Sequence, residues 1–235
     1  MANIADKPVP RAVIFDLDGT LYPFTRFYKA RFFFHLLSHS PLLLPAAVKA
    51  RQTLLGADFG TKDALINAFA QKLSALTKGK KSPDFCRRWY LEGYYGAFFK
   101  TLRALAGTRK GINETLAKLS GAGVKLAVLS DLGCVRERLD ALKIDSSVFD
   151  TIKSAEEFGC QKPSTKPFRA ILSEWNLKAA DVLIIGDRTD TDGAAAAEIG
   201  AQFIQAKCSK NADGVDWNEI DKQLNEIATH WAAKC

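Results

Sequence analysis

"AVIFDLDGTLY", residues 12–22, runs from a wholly apolar start into two aspartates one residue apart, then straight into Gly and Thr. A short, continuous apolar run with β-branched residues reads as a buried strand. A turn leaving such a strand is satisfied by one Asp before a glycine. Two carboxylates, Asp16 and Asp18, where the strand runs out point instead to charge chemistry. Their spacing of two sends both side chains to the same side of an extended chain.

Three further stretches repeat the strand pattern: "VKLAVLS" at 124–130, "DVLIIGD" at 181–187 and, more weakly, "AQFIQ" at 201–205. Helical patterns separate them, in "GINETLAKLSGAG", "CVRERLDALK" and "KPFRAILSEWN". Strand–helix alternation predicts an α/β fold, with a doubly wound, mostly parallel sheet between layers of helices. Residues 24–105 break the rhythm. They hold no convincing strand but several helical faces, such as Leu65, Ile66, Phe69 and Leu73, and "SPDF" at 82–85 offers Ser82 as an N-cap with proline following. The expectation is an α/β core from residues 1–22 and 106–235, with an all-helical domain, 23–105, inserted after the first strand. "DWNEIDKQLNEIATHW" at 216–231 opens with a D-x-x-E capping box and carries one apolar face, which predicts a docking helix.

In an open parallel sheet, ligands bind beyond the carboxyl ends of the strands. The polar residues that stop the apolar runs therefore converge there. They are Asp16 and Asp18, Ser130 and Asp131, and Asp187 with Asp190 and Asp192. Carboxylates gathered in one crevice repel unless a cation joins them, and an all-oxygen set suits Mg²⁺ bound together with a substrate phosphate.

"FDLDGTLY", "LSD", "QKP" and "GDRTDTDGAAAAEIGA", in that order, resemble the four motifs of the haloacid dehalogenase superfamily, and the helical insertion resembles its C1-type cap. The opening motif is similar to those of phosphoglycolate phosphatase, β-phosphoglucomutase and pyrimidine-nucleotidase relatives. The resemblance implies that Asp16 is the nucleophile, forming an aspartyl-phosphate, and that Asp18 is the general acid–base. It implies that Gly19 allows the close turn and Thr20 braces it. Ser130, with the Asp131 backbone N–H beside it, would bind the phosphoryl group, and Lys162 would neutralise charge on Asp16 and the phosphate. Lys166 competes for that role, because "KPSTKPF" delays the second proline to Pro167. Asp16, Asp187, Asp192 and the main-chain carbonyl of Asp18 would hold Mg²⁺, leaving Asp190 exposed or capping a helix. Asp18 itself counts against a dehalogenase reaction. Metal and lysine are needed on electrostatic grounds. A carboxylate facing a phosphate dianion at ~4 Å is opposed by roughly 8 kcal/mol at an effective dielectric of about 20. That would slow attack by about six orders of magnitude.

Composition fits a soluble globular protein: 235 residues, 47% hydrophobic and 25% charged. Five cysteines, Cys86, Cys134, Cys160, Cys208 and Cys235, are an odd number without CxxC spacing, which argues against a disulfide framework and a zinc site and fits a reducing, cytoplasmic setting. "MANIADKPVPR" lacks the apolar core of a leader, and "FFFHLLSHSPLLLPAAV" is too short and interrupted for a transmembrane segment. The net charge of +7 is uneven, since residues 21–107 hold 14 Lys/Arg against 4 Asp/Glu. That basic segment points to an anionic partner, a small substrate, nucleic acid or a membrane surface, or else to a solvated basic face; the partner expected is a small phosphorylated metabolite, with no nucleic acid expected for want of an RNA-binding motif. "FYKARFFFHLL" is read as packing within the cap, with a lipid or partner contact as the other reading. No feature of the sequence points to an oligomeric state. The reading is a Mg²⁺-dependent phosphatase of a small metabolite. Its rivals are a sugar phosphomutase and a non-catalytic module that binds an anion through the basic cap.

Overall fold

Strand β1 (Ala12–Phe15) is buried over its whole length and forms the middle of a five-stranded, all-parallel sheet. The computed structural model describes residues 8–105 and 107–234, so residues 1–7, which bear on the leader reading, and Cys235 lie outside it. Five helices follow β1: α1 (Arg26–Leu36), α2 (Leu44–Gln52), α3 (Lys62–Leu76), α4 (Pro83–Arg88) and α5 (Tyr95–Leu105). Each start has a local cause where a cap is visible. Thr25, Thr61 and Ser82 accept the N–H of Tyr28, Ala64 and Phe85, and Pro83 takes the first position of α4. A π-helical turn, Trp89–Tyr94, joins α4 to α5.

The sheet then resumes with α6 (Ile112–Gly121), β2 (Lys125–Ser130), α7 (Val135–Ala141), β3 (Thr151–Ser154), α8 (Lys166–Trp175), β4 (Val182–Gly186), α9 (Ala194–Ile199), β5 (Gln202–Gln205) and α10 (Trp217–Ala232). Strand order is β3-β2-β1-β4-β5. The doubly wound architecture follows from alternation along the strands. Val13, Phe15, Leu126, Val128, Leu183 and Ile185 face one layer, which includes α6 and α10. Ala12, Ile14, Ala127, Leu129, Val182 and Ile184 face the other, with α8 and α9. The sequence reading lacked β3. "TIKS" is an edge strand bonded only to β2, and it carries one large apolar residue, too little for a period to show.

The helical stretch is tied to the core by polar groups as well as apolar ones. Buried Glu156, just past β3, accepts hydrogen bonds from the hydroxyls of Tyr90 and Tyr95 and from the Gly133 N–H. The Phe59 N–H donates to the Gly159 carbonyl at 2.8 Å, and Lys166 pairs with Asp58.

The docking reading of α10 can be measured. Leu224 is fully buried in the layer that holds α6. Leu224→Ala should lower the unfolding free energy by about 2–5 kcal/mol, read from urea titration.

Candidate active site

β1 lies between β2 and β4, with Phe15 in register with Val128 and Ile185. The residues that follow these strands therefore emerge side by side. The Asp16 N–H still bonds the Ile185 carbonyl at 2.8 Å, which fixes its side chain at the edge of the sheet. Lys162 reaches the same point from the loop between β3 and α8. Its ammonium donates to Asp16 Oδ1 at 2.6 Å and to Asp192 Oδ1 at 2.7 Å, with its side chain only 2% exposed. The Lys162 amide is in turn held by Asp131 Oδ1 at 2.7 Å. Lys166 lies elsewhere, on Asp58 and the Phe158 carbonyl. Asp192 sits on a π-helical turn, Thr189–Gly193, a distortion that recurs at functional sites.

Asp16, Asp187 and Asp192 each present an oxygen within 4.8 Å of the others. Two glycines make this possible. A Cβ on Gly19, whose φ is +87°, would lie 2.5 Å from Asp187 Oδ2, and one on Gly186 would lie 2.4 Å from Asp192 Cγ. The Thr20 hydroxyl donates to Asp16 Oδ2 at 3.1 Å. Arg109, unmarked in the sequence, holds the same turn by donating to the Thr20 and Gly19 carbonyls. Asp190 points away and pairs with exposed Arg188.

Three carboxylates face one ammonium, so the cluster carries uncompensated negative charge. Burial, reinforced by Asp192, Asp187 and Asp18, holds the Asp16 carboxyl well above its usual range against the pull of Lys162. Burial and then Asp192 push Asp187 up to about 6. Burial works against the charge of Lys162, but Asp16 and Asp192 override it and keep the ammonium protonated. An all-oxygen donor set of this size and charge fits a hard divalent cation.

Asp18 has different company. It accepts from the Tyr22 hydroxyl at 2.5 Å, the Ser130 hydroxyl at 3.1 Å and the guanidinium of fully buried Arg138. Burial alone would raise its pKa. Arg138 outweighs that through charge and hydrogen bonding, and the net direction is downward. Ser130 departs from the expectation of a phosphate donor. It is fully buried behind Asp18, donates to it, and accepts from Arg138 at 2.9 Å and from the Leu132 N–H. Arg138 on α7 draws that hydroxyl inward.

The strand ends open into a crevice of about 300 Å³, a volume suited to a small ligand. Asp16, Asp18, Asp131, Lys162, Asp187 and Asp192 form its floor. Phe24, Tyr94 and Phe98 from the helical stretch give it an apolar wall. Arg51 and Arg188 also face it, and sequence reasoning missed both. Arg51 bonds the Tyr90 hydroxyl and Gln161 Oε1, and among the described residues no carboxylate lies within 4.0 Å of it.

A family model described as haloacid dehalogenase-like hydrolase matches residues 13–206. A glyceraldehyde 3-phosphate phosphatase from Methanocaldococcus jannaschii is 27% identical, covering 92% of this chain and 93% of its own. A phosphoglycolate phosphatase from Pectobacterium atrosepticum is 28% identical over 96% of this chain and 92% of its own. Among solved structures, a hydrolase of the same superfamily from Bacillus subtilis, bound to magnesium, shares the fold. Its TM-score is 0.64 at 15% identity, covering 93% of this chain and all of that one.

Lys162→Met would leave Asp16 and Asp192 buried without their cation, at an expected cost of about 3–5 kcal/mol. Both carboxyls are raised by burial, so protonation relieves the defect. The stability difference from the parent should therefore be smallest at the acid end of the range and grow as pH rises through the raised carboxyl pKa values, read by urea unfolding across pH.

Proposed function

The chain belongs to the haloacid dehalogenase-like hydrolase family, and from that premise we propose that it is a Mg²⁺-dependent phosphatase of a small phosphorylated metabolite. The observation that carries this reading is the Lys162 ammonium between Asp16 and Asp192, with Asp187 completing the oxygen cluster. Asp16, Asp187, Asp192 and the main-chain carbonyl of Asp18 are the groups that would hold the ion. When bound, magnesium supplies positive charge to the phosphoryl oxygens.

The protein's own groups do the rest. Lys162 holds the Asp16 carboxylate in place and offsets its charge as the phosphate approaches. An Asp16 oxygen attacks phosphorus, the bond from phosphorus to the ester oxygen breaks, and the leaving alcohol takes a proton from Asp18. Water then attacks the aspartyl-phosphate, Asp18 takes the proton from that water, and inorganic phosphate leaves. Arg138 holds Asp18 towards the ionised form, which suits it to the second half, so the first half draws on its minor protonated population, and the proton taken from water restores that form as the bond from Asp16 to phosphorus breaks. In this reading residues 23–105 are the cap, whose Phe24, Tyr94 and Phe98 keep bulk water from the first step. Arg51, without a carboxylate partner among the described residues, receives a second anionic or polar group of the substrate. Relatives named for phosphoglycolate and glyceraldehyde 3-phosphate support a substrate of that size.

Asp16→Asn should abolish phosphate release from p-nitrophenyl phosphate. EDTA should do the same to the parent, with recovery on adding Mg²⁺. Activity retained in the variant removes Asp16 as nucleophile, and an isomerised sugar phosphate in place of free phosphate would mark a phosphomutase. Arg51→Met should raise KM for phosphoglycolate by about 10- to 100-fold, the effect of losing a charged hydrogen bond, while sparing p-nitrophenyl phosphate.

A further inference from the structure

Helix α1 is apolar on two opposite faces, and only one of them is used. Tyr28, Phe32 and Leu36, four residues apart, are buried. Phe32 meets Tyr94 and Phe98 edge to face, with centroids at 5.2 and 6.0 Å. The helical period places Phe27, Ala30, Phe34 and Leu37 on the far side. There Phe27 is 66% exposed, Phe34 60% and Leu37 53%. The turn that follows carries Leu42, 89% exposed. A row of large apolar side chains in water is not how a helix of an isolated globular protein is built.

The charges around this face define what covers it. Exposed Arg26, Lys29 and Arg31 lie on α1 itself, and exposed Lys49 follows on α2. Between Asp18 and Asp58 the chain has no acidic residue at all. Arg31 lies over the ring of Phe34, so cation and apolar surface are presented together. A second copy of the chain, meeting this face across a two-fold axis, would set the basic side chains of α1 against their own copies, and α1 itself carries no carboxylate to pair them. A nucleic acid would complement the charge and could stack bases on the phenylalanines, but it would leave Leu37 and Leu42 without an apolar partner. An anionic lipid surface satisfies both, taking aromatic and leucine side chains at the acyl boundary and basic ones among the headgroups.

We propose that the outer face of α1, with Leu42 beyond its end, docks the protein on the surface of an anionic bilayer. No described helix is long and apolar enough to cross a membrane, so the attachment is peripheral and reversible. The face lies opposite the one packed on Tyr94 and Phe98, both of which line the crevice, so docking leaves the crevice open.

The test is flotation of the full chain with vesicles of phosphatidylcholine alone and of phosphatidylcholine mixed with phosphatidylglycerol. The parent should float with the anionic vesicles, and increasingly less so as salt is added. Arg26→Glu with Arg31→Glu should weaken binding at least about twentyfold, at about fivefold or more per basic residue. Phe27→Ser with Phe34→Ser should abolish it even at low salt. Both double variants should melt at the parent's temperature, because all four side chains are exposed. The proposal is overturned if the parent ignores anionic vesicles, or if Phe27→Ser with Phe34→Ser binds them as well as the parent does. It is equally overturned if the parent is a dimer that this pair disperses, or if it binds soluble polyglutamate as tightly as vesicles.

Discussion

One ammonium group, that of Lys162, sits between two buried carboxylates, and the strand ends around it are arranged to keep it there. Two aspartates cannot share a dry pocket without a cation, and a lysine alone cannot enter one without carboxylates to meet it. The Asp131 side chain fixes the lysine's backbone, the Leu129 carbonyl takes a further hydrogen at 3.3 Å, and the Asp16 amide stays in the sheet. Gly19 and Gly186 leave room for the carboxyl groups of Asp187 and Asp192. The crevice inherits its chemistry from this arrangement: fixed negative charge held in place, not fully neutralised, and open to a further cation and an anionic ligand.

The helical stretch supplies the opposite character. Its aromatic side chains wall the crevice, while its polar contacts with the core run through a few buried groups. Glu156 orders Tyr90 and Tyr95, and Tyr90 in turn holds Arg51. Arg138, fully buried, reaches Asp18 on one side and lies over the Phe98 ring at a centroid distance of 4.8 Å. The position of α5 and the setting of Asp18 therefore share one guanidinium. A change in either is felt by the other through direct contact.

Much of this was legible in the sequence because parallel strands are continuous apolar runs, and an acid that ends one is conspicuous. Asp16, Asp187 and the π-turn Asp192 stand out for that reason, whereas Lys162 was marked by the "QKP" motif and the delayed proline kept Lys166 as a competitor. What escaped reading is of one physical kind. Arg51, Arg109, Arg138 and Glu156 are charged residues that a local window reads as solvated surface, whereas their partners lie far along the chain. Arg138 and Asp18 are 120 residues apart. Ser130 was marked by its motif, but its hydroxyl is turned by Arg138, eight residues on, and by Asp18, 112 residues back. Strand β3 escaped because an edge strand with one buried neighbour needs little apolar sequence.

The central place of β1 in the sheet has a bearing on how the chain comes into being. β1 is made first, yet one of its two neighbours, β4, is among the last elements to leave the ribosome, and Asp187 and Asp192 come with it. Until then a nascent chain presents Asp16 beside a half-built sheet whose unpaired edge is wholly apolar. Translation therefore passes through a long interval in which the fold is incomplete at its centre, not at its rim. Chaperones that shield a bare strand edge have their natural point of action there.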